Sequence, residues 1–263
     1  IAGFLLGGGA LVVLEYSRYR LTVPEQVQER CGMRLLGTVP WVGVRAAKSK
    51  ASEYRVAESL DGIRAVMLQG SRDSAKVFLV TSAKDGEGKS SVAANLAASI
   101  ARAGYRTVLV DASLRSPTVQ ASLQLDATTP GFSELLRGEI TVTNDTVQPT
   151  VIDGLFAVSA GSCDYDAIVA LSRPELARII KGFREVFEFV IVDSSNVLSS
   201  ADALIIGQHC DAALVATMRD VSSVPMVNAA TDRLRSAGIR IIGSVFSGVR
   251  LGDGASALRR IAV

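Results

Sequence analysis

Histidine is nearly absent from this chain, cysteine is sparse, and neither sign of charge prevails. The single histidine, His209, sits in Gln208-His209-Cys210-Asp211. A hydrolytic triad would have to run through it, and no nucleophile motif stands nearby, so it reads as a polar residue at a helix end. Cys31, Cys163 and Cys210 lie far apart with no Cys-x-x-Cys pair. That spacing argues against a disulfide framework or a zinc site and fits a reducing cytosol. Lys and Arg number 28 against 26 Asp and Glu, a formal charge of +2. So even a balance lacks the field on which nucleic-acid binding draws, and nucleic acid is not an expected partner. No internal repeat or low-complexity tract is visible, and 263 residues at 48% hydrophobic content can bury one substantial core.

Charge is missing altogether from the first 14 residues, IAGFLLGGGALVVL, which is membrane composition. As a helix this run would span about 21 Å, short of the roughly 30 Å hydrocarbon core. The chain also starts without Met, so the expectation is that the span continues upstream. A basic segment precedes a secretory signal, whereas Arg18 and Arg20 follow this run, and positive residues mark the cytoplasmic side. Residues 1–16 are therefore read as the end of a transmembrane helix in the inner membrane, with the remainder in the cytoplasm. Residues 17–52 are read as a juxtamembrane connector, holding Pro24, a short apolar stretch at 35–39 before Pro40, and a basic run at 45–50. Trp41 is expected to pack under it. Residues 53–249 form the main domain and 250–263 a tail.

Inside the main domain the rhythm is strand, loop, helix. Apolar positions at 56, 60, 63, 66 and 67 have helical spacing. Short continuous apolar runs then recur at 77–81, 107–111, 155–159, 189–193, 213–217 and 241–246. Helical stretches separate them at 91–103, 132–136, 174–187, 201–206 and 224–237. Unbroken β-branched runs alternating with helices predict a mostly parallel sheet covered on both faces, an α/β fold. Ligands in such sheets bind where the strands end.

One such end carries a phosphate-binding motif. Ala83-Lys84-Asp85-Gly86-Glu87-Gly88-Lys89-Ser90 follows a predicted strand and opens a predicted helix, the context a P-loop requires. Gly86 and Gly88 let the backbone turn its N–H groups toward an anion, and the helix N-terminus adds partial positive charge. Lys89 would reach the terminal phosphates and Ser90 would ligand Mg²⁺, with the rest of residues 84–91, including Ser91, lining the nucleotide. Two more strand ends supply carboxylates: Asp111 in VLVD and Asp193 in VIVD. Asp193 suits the metal-holding acid, and Asp111 suits orienting a nucleophile or the metal. For either acid the alternative is a carboxylate capping the next helix.

TSAKDGEGKSSVAANLA at 81–97, VLVDASLRSP at 108–117 and FEFVIVDSSNVLSSADAL at 187–204 together resemble the bacterial tyrosine kinase (BY-kinase) domain of polysaccharide co-polymerases. LGTVP at 36–40, PGFSELLRG at 130–138 and VSAG at 158–161 fall where that family has similar phrases. The resemblance implies a P-loop NTPase fold, ATP and Mg²⁺, tyrosine autophosphorylation, a homo-oligomer, and partners in the machinery of polysaccharide polymerisation and export.

Several positions depart from the family pattern. Ser113 stands where the family's Asp-x-Asp-x-Arg has its second acid, and Asp193 is followed by Ser-Ser-Asn196 where the family has proline. Phe246-Ser247-Gly248-Val249 stands where the family carries an asparagine associated with the adenine. The oligomerisation pattern Glu-x-x-Arg-x-x-Arg aligns with Glu58, Asp61 and Arg64, its middle charge reversed. Residues 250–263 contain no tyrosine. Two alternatives therefore stay open: a catalytically weak, ATP-gated regulatory module, and an ATPase of the partitioning or division-site type, whose additional P-loop lysine Lys84 would match.

Overall fold

The computed structural model describes residues 19–42, 49–70, 75–142 and 146–250. The proposed membrane segment, 1–16, lies outside these residues, as does nearly all of the tail. Among the described residues no helix is long and apolar enough to cross a membrane.

Eight strands form one sheet in the order β1-β8-β7-β2-β6-β3-β5-β4. The strands are β1 (Leu35–Pro40), β2 (Val77–Ser82), β3 (Thr107–Ala112), β4 (Gln148–Pro149), β5 (Leu155–Val158), β6 (Phe189–Ser194), β7 (Ala212–Met218) and β8 (Ile241–Val249). Every neighbouring pair is parallel except β4 against β5. Successive side chains of a strand point to opposite faces, and here both faces are dry. Val77 and Leu79 enter one apolar cluster while Phe78 and Val80 enter the other. Val108 and Val110 of β3, and Val190 and Val192 of β6, side with the first; Leu109 and Ile191 side with the second. A strand buried on both faces has no position where a polar residue is free of cost, which is why the central strands read as unbroken apolar runs.

The helices that cover the first face include α1 (Glu25–Cys31), α5 (Phe132–Arg137), α6 (Tyr165–Ala170), α7 (Glu175–Val186), α8 (Asp202–Gly207) and α9 (Val224–Ser236). On the second lie α2 (Lys50–Gly70), α3 (Lys89–Arg102) and the short α4 (Val119–Leu123). Asp61 and Arg64 of α2 pair at 2.7 Å and both hydrogen-bond Ser99 of α3. Two of the three residues aligned with the oligomerisation pattern thus clamp two helices of one chain together.

The segment read as a bare connector does more. Leu35–Pro40 pairs in parallel with β8 and extends the sheet, and Glu25–Cys31 is helical, closed by Gly32 at φ 59°. The strand was missed because it is an edge strand: only Leu36 is buried in it, so the apolar run is short and Pro40 tolerates the unpaired side.

At the start of α5, Phe132 donates its N–H to Ser159 O at 2.8 Å and Ser133 to Ala160 O at 2.9 Å. This close approach leaves no room for a side chain at Gly131, whose Cβ would lie 2.3 Å from Ser159 O and 2.5 Å from Gly161 N. Gly131→Ala forces backbone apart and is expected to lower stability by about 1–3 kcal/mol. Chemical denaturation should show a lower midpoint with an unchanged slope.

Candidate phosphate and metal site

Three neighbouring strands bring the site together. In register, Asp111 of β3 stands opposite Asp193 of β6, and Val80 of β2 stands opposite Asp193 on its other side. The two acids therefore sit side by side at the strand ends, and Lys89, reached through the loop that follows β2, acts on the charge of both. Gly86 and Gly88 both adopt φ 81°, a left-handed conformation in which other residues are strained. The turn delivers the chain to Lys89, first residue of a 14-residue helix. The unpaired N–H groups of that helix open onto the loop.

Hydrogen bonds inside the loop hold its shape. The Lys84 N–H donates to Glu87 Oε2 at 2.8 Å, and the Ser82 hydroxyl to Lys84 O at 2.8 Å. Glu87 is wholly buried, and its other oxygen accepts from the Ser222 hydroxyl at 2.5 Å. Burial pushes the Glu87 carboxyl up, while these donors pull it down. Ser222 is itself fixed by the Met218 N–H at 2.8 Å and by the Leu21 N–H to its carbonyl at 2.9 Å. The loop is thus tied to the segment between β7 and α9 and, through it, to the chain's entry at residues 19–22. Glu87 was read only as a lining residue, since its partner lies 135 positions away.

The two aspartates are buried equally, at 0% exposure, and differ in what they touch. Asp111 Oδ2 accepts the N–H groups of Thr118 at 3.0 Å and Val119 at 2.9 Å, and Oδ1 accepts that of Ser113 at 3.1 Å. Burial raises its carboxyl, against these three donors and Lys89. Asp111 pins the Ser113 loop and the start of α4, and only Oδ1 keeps a lone pair without a second donor. Asp193 has no such company: among the described residues neither oxygen meets a donor at hydrogen-bond geometry. Burial and the Asp111 charge push it up to about 7, outweighing the Ser90 hydroxyl and Lys89, which favour the ionised form. A buried carboxylate with both oxygens unpartnered is costly unless something else meets them. Hard-oxygen donors such as Asp193 and the neighbouring Ser90 hydroxyl fit Mg²⁺.

Lys89, Ser90, Asp111 and Asp193 therefore form one electrostatic cluster. Gly86 and the side chain of Asp85 are outward, and Ser91 opens onto a neighbouring groove. That groove, about 800 Å³, runs from Gly88 and Ser91 past Met218 and Gly248 to Trp41 and Tyr54. Trp41 does not pack under a connector; it is 66% exposed at the groove's rim, its N–H held by Val249 O at 2.8 Å. Two contacts beside the cluster escaped the sequence reading. Arg115 grips the buried Asp202 through Nε at 2.8 Å and a second nitrogen at 3.3 Å. The Asn196 amide reaches Asp85 at 2.9 Å. Neither could be read from spacing, because each joins segments that follow different strands.

Comparison with known proteins places this geometry. Residues 73–245 match the ParA family model, described as the NUBPL iron-transfer P-loop NTPase. The tyrosine-protein kinase CpsD of Streptococcus pneumoniae is 30% identical over 201 residues, covering 76% of this chain and 88% of that one. The solved BceF tyrosine kinase domain is 28% identical with a TM-score of 0.76, covering 88% of this chain and 99% of that one. The kinase domain of the Escherichia coli tyrosine kinase ETK superposes at a TM-score of 0.81 over 88% of this chain and 96% of that one; at 21% identity it speaks for the fold alone. On this likeness, carried by the loop and the paired strand-end acids, the chain belongs to the bacterial tyrosine kinase (BY-kinase) family of P-loop NTPases.

Proposed function

We propose that this chain binds ATP with Mg²⁺ and transfers the γ-phosphoryl group to a tyrosine hydroxyl, in a system for capsular or exopolysaccharide synthesis and export. The observation that carries the proposal is the buried, unpartnered Asp193 beside Ser90 and Lys89 at the mouth of a P-loop. Phosphoryl transfer asks little covalent chemistry of the protein and much positioning and charge stabilisation. The backbone N–H groups of the loop and the start of α3 hold the phosphates, and Lys89 offsets the charge on the terminal group. Ser90 and Asp193 would hold Mg²⁺, which when bound neutralises phosphate charge and orients the triphosphate. Asp111, anchored by three N–H donors, has one oxygen left with which to orient the metal or an incoming hydroxyl. Lys84 and Asp85 line the outer wall, and the groove under Met218 and Gly248 receives the nucleoside.

The apolar residues 1–14 support attachment to the cytoplasmic membrane, and the family resemblance supports a homo-oligomer. Since Asp61 and Arg64 are occupied within the chain, a ring contact would have to use other residues. A second reading, a nucleotide-gated regulatory module with weak turnover, is favoured by Asp111 serving as a loop anchor. That anchoring runs through the N–H groups of Thr118 and Val119.

The deciding experiment incubates the full chain with γ-labelled ATP and Mg²⁺, alone and with a tyrosine-rich acceptor. A fragment starting at Ser52 would lose the edge strand β1. Label on tyrosine is the expected result. Tight nucleotide binding with neither phosphotyrosine nor released phosphate would select the regulatory module, and released phosphate alone an ATPase.

A further inference from the structure

The phosphate loop supplies an anion of its own to the site. Asp85 Oδ1 lies 2.9 Å from the side-chain nitrogen of Asn196 and 3.9 Å from Lys89 Nζ. The Asp85 side chain is 75% exposed, whereas that of Lys89 is 11% exposed and Asn196 is nearly wholly buried. Two inward donors therefore converge on one oxygen that belongs to an outward group. The direction of the Asn196 amide is fixed independently. The Ser199 N–H donates to Asn196 Oδ1 at 2.9 Å, and a donor can meet only the carbonyl side of an amide, so the NH₂ side faces the loop. Asn196 stands on the segment leaving β6, three residues past Asp193, on the side of the site where the two acids lie.

We infer that Asn196 is a sensor of the terminal phosphate, and that the Asp85 carboxylate holds its place until nucleotide arrives. The inference rests on the ATP-binding reading above. A phosphoryl oxygen has the same charge sign and acceptor chemistry as the carboxylate oxygen now seated between Lys89 and Asn196. Two anions repel at that distance, so a terminal phosphate displaces Asp85 into solvent, toward which it is already turned. The loop backbone and helix N-terminus serve any diphosphate, while Asn196 adds a donor that only a third phosphate meets. Asn196 thereby discriminates ATP from ADP. Proline, which the family pattern has here, offers no such donor, so this departure adds a contact.

The test is calorimetric binding of Mg·ADP and of a non-hydrolysable Mg·ATP analogue to the full chain, its Asn196→Ala variant and its Asp85→Ala variant. Asn196→Ala should weaken the ATP analogue about tenfold or more, the loss expected for a hydrogen bond to a charged group. ADP should stay within about twofold on the same argument. Asp85→Ala leaves Asn196 and its Ser199 bond in place and removes the competitor, so it should tighten the ATP analogue severalfold and ADP much less. Equal losses for both nucleotides in Asn196→Ala, or no loss for either, would overturn the inference. So would an Asp85→Ala variant with unchanged ATP-analogue affinity, which decides the matter even if Asn196→Ala folds poorly. Failure of the unmodified chain to bind ADP would instead strike the underlying nucleotide reading.

Discussion

Replacing Lys89 by alanine is expected to weaken Mg·ATP binding by about 10²–10³-fold, the size of effect seen when one partner of a largely desolvated charge pair is removed. The Lys89 side chain is 11% exposed, so water cannot substitute freely for it around the phosphates. Its loss also acts without nucleotide. Lys89 lowers the pKa of both Asp111 and Asp193, so removing it leaves two neighbouring buried carboxylates with no cation between them. The variant should therefore hold a proton on that pair to higher pH than the unmodified chain. Calorimetric titration with Mg·ATP measures the first effect, and NMR titration of the aspartate carboxyls measures the second. Unchanged nucleotide affinity in a folded Lys89→Ala variant would remove the phosphate-binding assignment altogether.

Much of this architecture is legible in the sequence because strands buried on both faces leave a strong signal. The runs at 77–81, 107–111, 189–193 and 213–217 are apolar or β-branched but for the acids that end two of them, and each became a strand within a residue or so. Where one face is wet the signal fails. β1 buries only Leu36, and β4 consists of two residues, so neither has enough apolar positions to establish a period. The P-loop is legible for a different reason: its function sits in consecutive residues whose conformational demands, glycine at positive φ and a helix starting at Lys89, are local.

Roles that depend on long-range contact are not legible in that way. Asp111 and Asp193 end near-identical sequences, VLVD and VIVD, and only the tertiary structure separates them. The chain after β3 doubles back to offer three N–H donors to Asp111, and the chain after β6 offers none to Asp193. The helix-capping alternative fits Asp111 and not Asp193. Glu87 with Ser222, Arg115 with Asp202 and Asn196 with Asp85 are likewise pairs between segments that meet only because their strands are neighbours.

Asp193→Asn is expected to have opposite effects on stability and on metal binding. The Asp193 carboxyl rises from an ordinary 3.8 to about 7 in the folded chain. Its protonated form is thus the one the fold prefers. The stability it contributes is complete below the unfolded pKa near 4 and is lost as pH rises through about 7. At about 1.36 kcal/mol per pKa unit, the ionised carboxylate costs the folded chain on the order of 4 kcal/mol at alkaline pH. Asparagine cannot ionise, so the variant should gain on the unmodified chain between pH 4 and 7 and keep that gain above. Glu87 and Asp111 also have raised pKa values. Glu87 titrates in both proteins; Asp111, relieved of the neighbouring charge, should ionise more readily in the variant.

The carboxylate that burdens the fold is the one a divalent cation would use. Below pH 7 the unmodified chain should release close to one proton as Mg·nucleotide binds, and the variant none from this position. Urea unfolding across the pH range, paired with calorimetry in buffers of different ionisation enthalpy, measures both effects. Parallel stability profiles for the two proteins, or equal proton release, would mean that Asp193 is not the group on which metal and pH converge.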